Sequence, residues 1–261
     1  MTLEELHEKL SFLYDADVEK YISIYATTPT TSLCLFNIED QFLNELKELF
    51  IEEIMSVTDN QSPNFTLENY SSSTKQLDAI FQYDLQDDLR PEMQLMKDVK
   101  TIIEPNLFVI NPENSIDQVN GLYIVIRSAN HVISLYKHIF GVDKIYAQKS
   151  MILVHSNEQF VKQQESMLRI SPTFQMLCIE DDIIMTDIQK LERIMDLKAV
   201  LTNAAAQHIA TIVNAKQLVT RSDLLEKVSN EPTMAKKLIH AVTVGKVFLK
   251  NISNAVIIAF A

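Results

Sequence analysis

Phe174-Gln-Met-Leu-Cys-Ile-Glu-Asp-Asp-Ile-Ile-Met185 runs directly into Thr186-Asp-Ile-Gln-Lys-Leu-Glu-Arg-Ile-Met-Asp-Leu197. The first stretch holds two short apolar runs, Phe174–Ile179 and Ile183–Thr186, around the polar turn Glu180-Asp181-Asp182. Runs of that length, rich in aliphatic residues and bounded by a turn, predict a β-hairpin. At Thr186 the period changes. Thr186 followed by Gln189 has the form of a capping box, the signature of a helix start. Beyond it Leu197, Val200, Leu201, Ala204, Ala205, His208, Ile209, Ile212 and Val213 recur at helical spacing and predict one long apolar helix face. A strand-rich region that ends in helices predicts an α+β fold, with a mixed or antiparallel sheet centred on 121–186 and an all-helical C-terminal part from 187.

The same reading extends toward the N-terminus. Gly121–Arg127 and His131–His138 alternate as strands across a Ser-Ala-Asn turn, which predicts a hairpin. Asp143–His155 adds one or two strands. Residues 2–12 read as a helix, and Tyr21–Ala26 and Ser32–Phe36 as strands. Asn37, with Asp40 three residues on, reads as a helix cap. In the helix that follows, Phe42, Leu43, Leu46, Leu49, Phe50 and Ile54 recur at helical spacing, while Glu45, Glu48, Glu52 and Glu53 lie mostly on the other side. Asp59–Ser73 is polar and predicts a loop, Leu77–Tyr83 a further strand. Toward the C-terminus Thr220 caps a short helix over Ser222–Val228, and Pro232 opens a last helix through His240. The loosest boundary falls within 100–120, which divides the chain into an acidic N-terminal α+β domain (1–110) and a second domain (111–261) that holds the sheet of 121–186 and the helices of 187–261.

Charge is unevenly distributed. The whole chain carries −12, made of −17 over residues 1–188 and +5 over 189–261. An acidic chain is a poor nonspecific ligand for nucleic acid, but its last quarter is not. Cys34 and Cys178 sit far apart in apolar runs, which predicts reduced, buried thiols. The acidic opening Met1–Leu10 has none of the character of a secretory leader, and no run of about 18 apolar residues occurs. These features predict a cytoplasmic protein.

The succession of strand pairs, the F-x-M-L-C-I-E-D-D-I-I-M hairpin (Phe174–Met185), L-E-R-I-M-D-L (Leu191–Leu197), the Ala-bearing helix with I-V-N-A-K-Q-L-V (Asn203–Val219) and M-A-K-K-L-I (Met234–Ile239) resembles the KwaB-like family of the bacterial Kiwa antiphage defence system. The likeness is clearest over 121–240 and weaker over 21–57. It implies a cytoplasmic defence component that works beside a membrane-spanning KwaA-like partner at the inner face of the membrane and engages DNA; double-stranded DNA and a homo-oligomer are the expected ligand and assembly. It implies no catalytic residues.

The residues themselves offer little chemistry. Three glycines, Gly121, Gly141 and Gly245, are too few and too scattered for a phosphate-cradling loop. Glu180, Asp181, Asp182 and Asp187 form the sharpest metal candidate, weighed against a hairpin tip and a helix start, where acids are favoured anyway. The nearest strand analogue of a metal-dependent nuclease motif, Ala147-Gln148-Lys149, lacks its acid. His131 and His138 face opposite sides of a strand, and His208 falls on an apolar helix face. No cofactor, metal or catalytic site is therefore assigned. Arg221, Lys227, Lys236, Lys237, Lys246 and Lys250, on or beside short C-terminal helices, are the candidate phosphate contacts, with a plain solvated face as the alternative. Arg127, Lys137, Lys144 and Lys149 form a second, weaker basic set. Three functions remain in play: a non-catalytic DNA- and partner-binding defence component, a cryptic Mg²⁺-dependent nuclease built on the acidic hairpin, and an interaction module without nucleic acid.

Overall fold

A computed structural model describes residues 1–28, 33–59, 62, 64–71, 78–85, 89–108, 116–145, 153–156, 159–162, 167–214 and 232–244. Contacts divide the chain into two units, each discontinuous in sequence. One comprises 2–60 with 91–186; the other comprises Met1, 61–90 and 187–261. Residues 109–115, at the boundary expected from sequence, lie outside the described residues.

The first unit is built on an antiparallel sheet. β1 (Tyr21–Thr27) lies between β2 (Cys34–Leu35) and β5 (Gly121–Arg127); β6 (Val132–His138), β11 (Met176–Ile179) and β12 (Asp182–Met185) follow in that order. The register fixes the layers, with Ile24 opposite Ile124, Ile124 opposite Leu135, and Leu177 opposite both Leu135 and Ile184. Residues 121–126 are all buried, so this strand is covered on both faces. Helices α1 (Leu3–Leu10), α2 (Asp40–Thr58) and α3 (Pro91–Asp98) bury Leu6, Phe50, Ile54, Met93 and Met96 in the same core. Ser134, buried in β6, donates to the carbonyl of Met96 at 2.7 Å, which satisfies its hydroxyl inside the core. Gly121 is required by crowding, since a Cβ there would lie 2.9 Å from Cε2 of Tyr136. Two small pairs complete the unit: β7 (Lys144–Ile145) with β10 (Met167–Leu168), and β8 (Leu153–Ser156) with β9 (Gln159–Lys162).

The hairpin at 176–185 forms as its pattern predicts, with Met176 opposite Met185. Its two-residue turn puts Glu180 at φ 51, a left-handed conformation that costs a non-glycine residue roughly 1–2 kcal/mol. Lys9 pairs with Glu180 and, at 3.3 Å, with Asp182, and Lys100 donates to the Glu180 carbonyl, so the turn is held from two sides. Both cysteines are buried and unbridged.

The second unit joins a parallel pair, β3 (Thr66–Asn69) with β4 (Ala79–Gln82), to helices α4 (Ile188–Ile194), α5 (Leu197–Asn214) and α6 (Pro232–Val244). The fold class is thus α+β with mixed strand directions. The described elements after residue 187 are helices, and Leu197–Asn214 is one of them, as the apolar periodicity requires. The short helix predicted over Ser222–Val228 lies outside the described residues.

Three local expectations are corrected. Helix α4 is capped by Asp187, whose carboxylate accepts from Lys190 N at 3.1 Å; the Thr186 hydroxyl instead donates to Phe174 O at 2.9 Å, because the strand end claims it first. Helix α2 begins at Asp40 behind Glu39, with no side-chain cap. Phe36 N is still bonded to Ile24 O at 2.8 Å, so residues 37–39 are spent turning away from the strand. The polar stretch 59–73 contains β3, whose partner β4 is a nonlocal choice invisible to periodicity.

Candidate nucleic-acid interface

Of the six basic residues singled out from sequence, two are described. Lys237 is exposed on α6. Its neighbour Lys236 is 6% exposed. Arg221, Lys227, Lys246 and Lys250 lie outside the described residues.

The burial of Lys236 follows from how α6 sits within its unit. A helix turns about 100° per residue, so adjacent lysines cannot share a face. Ala235 and Ile239 are buried, and Lys236 lies on the edge of that inward face. Its ammonium stands 4.4 Å from the ring centre of Tyr70 and 3.8 Å from Glu192 Oε1. Tyr70, just past the end of β3, is itself fully buried and donates its hydroxyl to the same Glu192 oxygen at 3.3 Å. Asp84 accepts from both the backbone N (2.9 Å) and the hydroxyl (2.5 Å) of Ser71. Burial holds the Lys236 pKa below the usual lysine value, against the opposing pull of Glu192 and Asp84. Burial, then Glu192, pushes the Tyr70 phenol up. This arrangement ties β3, α4 and α6 together; it does not present a cation to solvent. Sequence reasoning passed over Tyr70, Asp84 and Glu192, which stand in three separate segments with no motif linking them.

The second basic set is also engaged within the protein. Arg127 donates to the carbonyls of Val99 (3.1 Å) and Lys100 (3.4 Å). Lys137 is 3% exposed and donates to Ser171 Oγ at 2.8 Å and to the hydroxyl and carbonyl of Thr173 at 3.2 Å. Lys144 donates to Asp117 O at 2.6 Å, and burial draws its pKa down. Lys149 lies outside the described residues. These cations hold loops in place by donating to oxygens within the protein.

The acidic hairpin is likewise accounted for by structure. Glu180 and Asp182 share Lys9, whose own pKa is raised chiefly by its hydrogen bond to Glu180. Asp187 caps α4 and pairs with Lys190 at 2.5 Å. Among the described residues no group of three His, Cys, Asp or Glu side chains converges on a metal position. His131 stacks on Phe12 with ring centres 4.7 Å apart, and His138 meets the Tyr136 hydroxyl at 3.2 Å. The side chains of His155 and His208 lie outside the described residues. A polar cleft of about 750 Å³ lies between residues 16–22 and the first turns of α2. There Lys47 is bound to Asn44 Oδ1 (3.2 Å) and Lys20 O (3.4 Å). Among the described residues no helix is long and apolar enough to cross a membrane.

The class these observations define is an α+β protein whose described polar clusters are structural. Comparison with known proteins narrows it. The profile of the family described as "Kiwa protein KwaB-like" matches residues 116–260, more than half of the chain, and the chain belongs to that family. A curated relative, "Kiwa protein KwaB" of Escherichia coli O55:H7 (strain RM12579 / EPEC), is 28% identical over 266 positions, covering 98% of this chain and 82% of the relative. No solved structure matches significantly.

Proposed function

We propose that this chain is a non-catalytic component of Kiwa-type antiphage defence that acts by binding double-stranded DNA and a membrane-embedded KwaA-like partner. Family membership supports the defence role. The observation that carries the DNA contact is the charge partition, −17 over 1–188 against +5 over 189–261. Phosphates are repelled by the first region and attracted by the second. The contact runs through Lys237 together with Arg221, Lys227, Lys246 and Lys250, in an all-helical C-terminal part; Lys236 supports the helix that carries Lys237. A homo-oligomer would join two basic faces and raise the effective concentration of each. The working location is the cytoplasm, at the inner face of the membrane through the partner.

The test is titration of double-stranded DNA at several salt concentrations with the wild-type chain and with Lys237→Glu/Lys246→Glu/Lys250→Glu. With three or four phosphates neutralised the log–log salt slope is roughly −3, and the affinity is about 10⁻⁵ M or weaker at physiological salt. The triple variant flattens the slope. Absence of binding even at low salt would leave the protein-interaction reading in its place. Incubation with DNA, RNA and nucleotides plus Mg²⁺ or Mn²⁺ tests the non-catalytic part: turnover that vanishes in Asp182→Ala would establish the nuclease reading instead.

A further inference from the structure

Helix α2 carries more apolar surface than its core contact uses. Phe50, Ile51 and Ile54 are buried, and they define the inward face. Beside that face Phe42 is 50% exposed and Leu49 44% exposed, with Leu46 half-buried between them. At about 100° per residue, positions 42, 46 and 49 fall within about 60° of arc, centred about 120° from the buried set and adjoining it at Phe50. The apolar band of this helix thus runs on past its core contact, and that part of it faces solvent.

The spacing of the uncovered face is specific. Steps of four and three residues are the d-a-d seam of a heptad, the pattern that accepts a second helix. In that register Glu45 and Glu52 both occupy the g position, seven residues apart along one flank, and both are exposed. Glu53 falls at the next a position and ends the seam. The nearest cation on the helix, Lys47, is turned the other way, bound to Asn44 and Lys20 O. Acids at g positions select a partner with Lys or Arg at the facing positions, and they repel the anionic headgroups of a membrane surface.

We infer that the solvent face of α2, the Phe42–Leu46–Leu49 stripe with Glu45 and Glu52 on its flank, docks a basic amphipathic helix of a protein partner. The inference rests on the partner-binding part of the proposed function and assigns it a surface. The apolar stripe supplies the buried contact, and the glutamates set partner choice and orientation.

The test uses two labelled 21-residue peptides with Leu at every a and d position, one with Lys and the other with Glu at every e and g position. Fluorescence anisotropy is followed on the full chain. The Lys peptide binds the wild type; the Glu peptide does not. Phe42→Ser/Leu49→Ser and Glu45→Lys/Glu52→Lys each weaken binding about tenfold or more, while Glu4→Lys/Glu8→Lys, the same charge change on exposed positions of α1, does not. All three variants alter exposed side chains, and unchanged thermal melts confirm that they fold. Equal binding by the Phe42→Ser/Leu49→Ser variant would reduce the contact to general charge attraction and overturn the inference. So would binding of phosphatidylglycerol vesicles that this variant loses, or wild-type self-association in sedimentation that it lacks. Co-purification with the KwaA-like membrane protein separates the two readings. If wild type and both α2 variants retain that protein equally, the surface is wrong and the partner reading stands. If wild type itself fails to retain it, the partner reading falls.

Discussion

Lys137 and Lys236 are both buried, one in each unit, and they are buried by different means. In the sheet unit Lys137 points its ammonium at three neutral oxygens of Ser171 and Thr173, all at 2.8–3.2 Å. In the helical unit Lys236 lies over the Tyr70 ring with Glu192 at 3.8 Å, longer than a direct hydrogen bond. The first is held by short directional contacts, the second by the field of an aromatic face and a carboxylate. The contrast shows that a positive charge counted from sequence is not a positive charge on the surface. Each of these lysines neutralises or satisfies something internal, and neither contributes to an electrostatic footprint for DNA.

The contrast is broken most sharply by Lys236→Glu. That change sets a third carboxylate beside Glu192 and Asp84 in a buried position, and losing a buried charge partner costs about 3–5 kcal/mol. Lys237→Glu, one residue on and exposed, should lie within about 0.5 kcal/mol of wild type. Urea unfolding of the two variants measures the difference. Comparable stabilities would mean that the Lys236 ammonium reaches water.

High pH should act on both units through buried phenols. Tyr123 and Tyr136 in the sheet unit, and Tyr70 in the helical unit, have phenol pKa values raised first of all by burial. The folded state therefore keeps these protons after the unfolded state has begun to lose them near pH 10. Their stabilising contribution is complete below that value and declines above it, by about 1.4 kcal/mol per pH unit for each tyrosine. Two tyrosines give the sheet unit about 2.7 kcal/mol per pH unit. In the helical unit Tyr70 contributes in the same direction, and Lys236 opposes it. With its pKa depressed, Lys236 gives up its proton on folding and so favours the folded state as pH rises toward the unfolded lysine value. Hydrogen exchange against pH, with tyrosinate absorbance as a second readout, should find the protection around Tyr123 and Tyr136 falling above about pH 10. Protection there that stays constant above about pH 10 would refute this linkage.

Lys137→Met tests the other side of the comparison. It removes a charged donor from Ser171 and Thr173, and hydrogen bonds of that kind contribute about 1.5–3 kcal/mol. A loss of about 2 kcal/mol is expected in thermal or urea unfolding. The smallest effect belongs to the junction of the two patterns. Asp187→Ala should cost about 1 kcal/mol through loss of the α4 cap, visible as fraying of 188–194 in hydrogen exchange. Thr186→Val should leave that helix end intact.

That last pair marks where local reading succeeds and where it stops. The change of period at 186 is legible because strand and helix project side chains at different angles, and a hairpin stands on one side of it and two successive helices on the other. The identity of the cap is not. Thr186 and Asp187 are both good cap residues, and the choice was made by Phe174 O, twelve residues away and brought close by the hairpin. The interface residues behave the same way. Helical spacing placed Lys236 and Lys237 on a short helix, correctly, but their exposures depend on Tyr70, Asp84 and Glu192. On α2 the spacing identified the apolar residues but could not say that Phe50 and Ile54 would be used by the core and Phe42 and Leu49 left over.

What the sequence determined alone are the properties carried by neighbours along the chain: the strands at 121–127, 132–138 and 176–185, the helices at 3–10, 197–214 and from 232, the sign of each region's charge, and the ordered set of stretches that carries the family likeness. Tertiary structure decided which of these meet. It threaded β1 between β2 and β5, paired β3 with β4 out of a stretch that reads as loop, and turned one of two adjacent lysines inward. The physical reason is range. Periodicity, capping and turn chemistry act over a few residues, whereas burial and ion pairing depend on distances in space, which are set only when segments such as 70, 84, 192 and 236 have been packed together.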